Sequence, residues 1–255
     1  MKTILVLSLF HPVSVFALSV SLAGILMQTD DNIVQTQKSE TGIVAASADK
    51  STISYTERGA DILYEEMGLA EYGLSKQAFS DAYKGYQHLL EKNRIQNHDY
   101  LTICDFSKSS GKKRLYIIDL EKNELFLNTY VAHGRNSGKD YATRFSNKPE
   151  SLQSSLGFYI TKGTYYGGHG LSLNLEGVEN GINNNAYQRR IVMHGADYVS
   201  ENFFRQNKFM GRSFGCPAVP LKESASIINT IKNGTCLFIY HPTKNYTERS
   251  KILNG

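Results

Sequence analysis

The chain has 255 residues, enough for one or two domains with a full core, and its 41% hydrophobic and 20% charged residues belong to a folded globular protein. Twenty-eight Lys and Arg against 24 Asp and Glu give a formal charge of +4, a mild excess that excludes a strongly basic nucleic-acid binder and suits a carboxylate-bearing substrate. Three cysteines are an odd number, so in an oxidising compartment at least one thiol stays unpaired.

Residues 1–27 open with Lys2, run through Ile4-Leu5-Val6-Leu7 to Ile25-Leu26-Met27, and carry no acidic residue, the pattern of a secretory signal peptide. Ser21-Leu22-Ala23 and Val15-Phe16-Ala17 both offer small residues for cleavage. The competing reading is an uncleaved membrane tether through residues 3–27, a stretch long enough to cross ~30 Å of hydrocarbon. Under either reading the body of the protein is exported, periplasmic or associated with the cell envelope. Residues 28–55, rich in Thr, Ser, Asp, Ala and Gln without a sustained period, read as a flexible linker.

A helical extension is expected over 56–97, packed on the main domain because so short a segment makes a poor core alone. Ile62, Leu63 and Met67 predict a first helix ending near Gly68. Ser75 caps a second, in which Phe79, Ala82, Tyr83, Tyr86, Leu89 and Leu90 recur at helical spacing. Strand-like runs follow at 101–105, 114–120, 125–132, 157–161, 190–194 and 235–240. The second and third read as a hairpin across Glu121-Lys122-Asn123-Glu124, and Lys112-Lys113-Arg114 reads as a solvated turn. Residues 134–156 and 162–186 read as long polar loops of the kind that carry function. A late helix is bounded by Pro220 at its start and Asn233-Gly234 at its end. The fold class is mainly β (α+β) with peripheral helices: a main domain over 98–242 and a tail at 243–255. Cys104 and Cys236 lie in strand-like runs, as two buried thiols or as a disulfide.

The chemistry gathers where Ile191-Val192-Met193-His194-Gly195 is followed by Gly211-Arg212-Ser213-Phe214-Gly215-Cys216-Pro217-Ala218, whose cysteine lies 22 residues after the histidine. A cysteine of ordinary acidity is only a few per cent thiolate at neutral pH and needs a base or a positive neighbour to act as a nucleophile. His194, delivered at the end of an apolar run, is placed to be that base and to form a thiolate–imidazolium pair. The Gly195 carbonyl is placed to orient the imidazole, and the amides of Gly215 and Cys216 to face an oxyanion. His133 and His169 with His194 raise the question of zinc, but the spacing matches no close-set ligand pattern, so neither metal nor organic cofactor is expected.

These motifs, with Asp105-Phe106-Ser107, Val131-Ala132-His133-Gly134, Phe145-Ser146-Asn147, Ser154-Ser155-Leu156-Gly157 and Gly168-His169-Gly170-Leu171-Ser172, closely resemble the murein L,D-transpeptidase catalytic domain family, a branch of the YkuD-type enzymes. The resemblance implies a YkuD-type β-sandwich or barrel-like domain and cysteine acyl transfer on peptidoglycan stem peptides. Carried over, Cys216, His194 and Gly195 are catalytic. A tetrapeptide stem is the donor, and an amine of another stem (3–3 cross-linking) or water (L,D-carboxypeptidase activity) is the acceptor. Phe214 stands where better-known members carry a second histidine, and Ala218 where they carry Asn or Arg. Substrate binding is therefore expected from Arg212, Ser213, Gly215, His169 and Tyr166, Arg212 suiting a substrate carboxylate. A sortase-like enzyme would need a threonine-rich strand before the cysteine, and papain-like hydrolases place Cys before His. A cell-wall binding module that retains the fold without turnover is the alternative from another class.

Overall fold

The computed structural model describes residues 59–255. The expected signal or tether at 1–27, the linker at 28–55 and the opening of the helical extension at 56–58 lie outside the described residues. Among those described, no helix is long and apolar enough to cross a membrane.

Strands β1 (Tyr100–Asp105), β2 (Leu115–Asp119), β3 (Glu124–Thr129), β4 (Gly157–Gly167), β5 (Gly170–Gly177), β6 (Val192–Ala196), β7 (Ala218–Pro220) and β8 (Cys236–Tyr240) form one sheet. Its order is β3-β2-β1-β8-β4-β5-β6-β7. The β1–β8 and β6–β7 pairs are parallel and all other neighbours antiparallel. The chain leaving β3 crosses to the far edge, where Ala132 exchanges backbone hydrogen bonds of 2.8 and 3.3 Å with Ala218 of β7. That link curls the sheet towards a barrel, the mainly β, α+β architecture expected. Strands β2 and β8 are buried along their whole length because both faces are covered, and their sequences are correspondingly apolar almost throughout.

Helix α1 covers residues 59–66 and α2 spans Lys76–Glu91. Ser75 caps α2 by accepting from the Ala78 N–H at 3.2 Å. The buried stripe of α2 comprises Ala78, Phe79, Ala82, Gly85, Tyr86 and Leu89. At Gly85 the helix presses on the sheet: a Cβ there would stand 1.9 Å from the Phe158 ring, which itself stacks on Phe238 at 4.1 Å. Later helices are α3 (Glu201–Asn207), α4 (Leu221–Ile231), α5 (Lys244–Thr247) and α6 (Lys251–Asn254). The last two form from the stretch expected as a tail. Tyr246 donates to Glu179 Oε2 at 3.1 Å, and Ser250 donates to Oε1 of the same buried carboxylate.

Two expectations are corrected, and one open alternative is decided. Residues 162–186 are not loop throughout: β4 continues to Gly167 and the chain returns as β5, with Leu173 and Leu175 buried. Glycines flank that alternation at 163–170 and 177–181, but Leu171 to Glu176 carries none. The run Lys112-Lys113-Arg114 is not wholly solvated, since Arg114 is fully buried. Its Nε and Nη2 donate to the Val131 carbonyl at 3.0 and 2.9 Å, and Nη1 donates to that of Lys108 at 2.7 Å. Finally, Cys104 and Cys236 are free thiols. They lie on adjacent parallel strands, but Cys104 faces Ile239 and Cys236 faces Leu101, an offset of three residues. At ~3.3 Å per residue that separates them by about 10 Å, beyond disulfide reach.

Gly85→Ala is expected to lower stability by about 1–3 kcal/mol, because the methyl must displace Phe158 or the helix. Urea unfolding of the two proteins checks this; an unchanged midpoint would show that α2 is not held tightly on the sheet.

Candidate active site

Strand β6 carries the histidine. Its register sets Val192 opposite Asn174 and His194 opposite Ser172 on β5, with Ala218 opposite His194 on β7. Paired residues share a face and alternate residues point to opposite faces, so Tyr165, Ser172, Asn174, Val192 and His194 belong to one face. Leu173, Met193 and Val219 turn into the core from the other. His194 is buried, and its Nδ1 stands 3.0 Å from the Gly195 carbonyl. With Nδ1 donating there, Nε2 is the free acceptor. The exposed ring of His169, in the β4–β5 turn, stacks on His194 with centroids 4.3 Å apart.

Cys216 lies two residues before Ala218, which sets it diagonally from His194 across the parallel pair. Its half-buried Sγ accepts from the Val192 N–H at 3.5 Å and reaches the Arg190 carbonyl at 3.7 Å. The turn that presents it depends on Gly215, whose φ of +132° is rarely open to other residues. Ser213, itself buried, staples this turn: its Oγ accepts from the Gly215 N–H at 3.1 Å and donates to the Cys216 carbonyl at 2.6 Å. Of the two amides expected to face an oxyanion, that of Gly215 is thus already engaged. The Cys216 N–H, by contrast, has no backbone acceptor among the described residues.

Burial pushes the Cys216 thiol above its ordinary value, while the Val192 N–H and the Arg189 charge oppose that shift. Burial lowers His194 in turn; the bond to Gly195 opposes this and neighbouring His169 adds to it. Both charged forms lose solvation, which opposes the expected ion pair at rest.

Arg189 is the site residue that sequence reasoning missed. Its Nη1 donates to the Ser146 carbonyl at 2.7 Å and to Ser155 Oγ at 3.0 Å, and its Nη2 donates to the Gln153 carbonyl and to Ser151 Oγ. A Cβ on Gly215 would lie 3.3 Å from Nη2, which places the guanidinium against the cysteine turn. Its neighbour Arg190 adopts φ +53° as the left-handed residue closing a Schellman turn: Arg190 N–H bonds the Tyr187 carbonyl at 3.0 Å and Ile191 N–H that of Ala186 at 2.9 Å. An arginine just before the histidine strand was the available signal. Which of the two arginines turns inward depends on that left-handed residue, for which no glycine served as a marker.

The other expected residues are dispersed. Arg212 Nη1 donates to the carbonyls of Arg135 and Gly138 at 3.2 and 3.1 Å, which braces that loop. Tyr166 is 84% exposed, and it is its neighbour Tyr165 that lines a groove of ≈ 940 Å³ beside the thiol, together with Asn174, Tyr187, Arg190 and Val192. Phe214 is exposed under the Arg135 guanidinium, 5.9 Å from its ring centroid, and Ala218 is buried within β7. His133 is buried with Nδ1 2.8 Å from Arg114 Nη2. Burial, reinforced by that cation, lowers its pKa to about 3. Among the described residues, no three of His, Cys, Asp and Glu stand together as a metal set.

Residues 70–240 match the family model described as the L,D-transpeptidase catalytic domain. No curated protein matches the chain. Solved structures that it resembles include an L,D-transpeptidase from Mycobacterium smegmatis, at 10% identity and TM-score 0.34, covering 56% of this chain and 59% of that one. Another is an L,D-transpeptidase from Stackebrandtia nassauensis, at 12% identity and TM-score 0.34, covering 74% and 79%. The chain therefore spans about three fifths of the mycobacterial protein.

Replacing Arg189 by Met is expected to move the pH midpoint for iodoacetamide alkylation of Cys216 upward, since the opposing positive charge is lost. A shift of one unit slows the reaction about tenfold on the acid side of the midpoint. Arg189→Lys, which keeps the charge, should move it less; superimposable profiles for all three proteins would mean the thiol does not feel this cation.

Proposed function

The chain belongs to the L,D-transpeptidase catalytic domain family, and from that membership we propose that it is an exported cysteine acyltransferase acting on peptidoglycan stem peptides. Residues 98–242 form the catalytic domain, on which the helical extension packs, and residues 1–27 direct export. The observation that supports this most is the half-buried Cys216 thiol at the edge of a groove, diagonal to a histidine whose Nδ1 is held by Gly195.

In the proposed reaction Sγ of Cys216 attacks the carbonyl of the third stem residue while its proton passes to Nε2 of His194. The developing oxyanion faces the Cys216 N–H. Collapse breaks the peptide bond, and the departing amine of D-alanine takes the proton from His194. The resulting thioester is attacked by the side-chain amine of a second stem, or by water. His194 accepts the attacking group's proton and returns it to the leaving sulfur. Both half-reactions use the imidazole as base and then acid.

Arg189 acts here as a positioning residue. Its guanidinium donors are occupied by the 146–155 segment, so its charge serves the cysteine turn instead of binding the stem. The alternative, a cell-wall binding module without turnover, draws on exposed Phe214 and buried Ala218, which add no polar side chain beside the thiol.

Incubated with a tetrapeptide-stem muropeptide, the protein should release D-alanine, and Cys216→Ala should lower the rate by at least about 10³-fold. Full release by the variant would contradict the mechanism, and muropeptide binding without release by the wild type would favour the module.

A further inference from the structure

We propose that the groove beside Cys216 binds the sugar strand that carries the donor stem, recognising pyranose rings by aromatic contact; this rests on the acyl-transfer reading above. Arg190 and Val192 line the groove, and their backbone atoms are the ones that touch Sγ, so the groove adjoins the reacting centre. Its volume of ≈ 940 Å³ lies at the upper end of the ~300–1,000 Å³ typical of ligand sites, leaving room beyond the peptide at the thiol.

Two tyrosines reach the groove from different elements, Tyr165 from β4 and Tyr187 from the turn before β6, with β5 between them. They are 44% and 84% exposed, and neither stacks on another aromatic ring among the described residues. Exposed aromatic surface lining a concavity marks a binding site. The C–H face of a pyranose is apolar while its edge carries hydroxyls, and the groove answers both requirements. Asn174 donates through Nδ2 to the Gly163 carbonyl at 2.9 Å, which leaves Oδ1 as an acceptor, and Gln188 also lines the groove. Lys162 and Glu176 pair at 2.5 Å, so their charges largely cancel and Arg190 is the charged group left in the lining.

The test compares kcat/KM for D-alanine release from a disaccharide-tetrapeptide with that from the same tetrapeptide freed of sugar. The expected wild-type ratio favours the sugar-bearing donor by about tenfold, the scale of two ring contacts. Tyr187→Ala should bring it towards unity, and Tyr72→Ala, an exposed tyrosine outside the groove, should leave it as in the wild type. A wild-type ratio of one, or a Tyr187→Ala effect equal on both donors, overturns the sugar assignment while leaving the acyl-transfer reading intact. Release of D-alanine from neither donor would instead overturn that reading, and the inference with it.

Discussion

His194 lies opposite Ala218 in the short parallel pairing of β6 on β7, and the geometry of the site follows from that register. Moving β7 by one residue would turn Cys216 from the groove face to the core face. Several contacts hold the register: the ladder of Ala132 with Ala218, the Ser213 staple within the cysteine turn, and the bond from Ser154 Oγ to the Gly215 carbonyl at 3.0 Å. The barrel-like closure is therefore part of how the thiol is aimed.

Electrostatics around the pair is dominated by burial. Both the thiolate and the imidazolium lose solvation, which raises the thiol and lowers the imidazole from their ordinary values. Two buried or half-buried cations brace this part of the fold, and both are occupied by carbonyl and hydroxyl oxygens or a neutral histidine: Arg189 beside the cysteine turn, and Arg114 beneath the 131–133 segment. Each ties a loop to the sheet with a charge that has no carboxylate partner within salt-bridge distance among the described residues. Phe214 and Ala218, where better-known relatives carry polar groups, leave this balance undisturbed.

Much of this was legible in the chain. The apolar run ending in His194, the Gly-Cys turn, the Ser75 cap and the Pro220 start of α4 are local signals, and local chemistry decides them. What stayed hidden depends on long-range packing. Strand β5 is the exception: Leu171-Ser172-Leu173-Asn174-Leu175-Glu176 alternates without a break, a local strand signal masked only by the glycine-rich stretches that flank it. Arg114 looks like a surface charge until Val131 and Lys108 offer it carbonyls. Arg189 and Arg190 are adjacent and identical in type, and only the left-handed backbone at Arg190 separates their roles. Arg212 fitted a carboxylate on chemical grounds, and its bonds to the 135–138 loop were equally invisible before that loop was folded.

Central to all of this is Cys216 as the atom that takes the acyl group. Intact-mass spectrometry of the protein quenched in acid during reaction with a tetrapeptide-stem muropeptide, followed by peptide mapping, tests that directly. The result expected is an adduct equal in mass to the donor minus D-alanine, on the peptide containing Cys216 and labile to hydroxylamine. Release of D-alanine with no such adduct at any quench time, or an adduct on another residue, would contradict it.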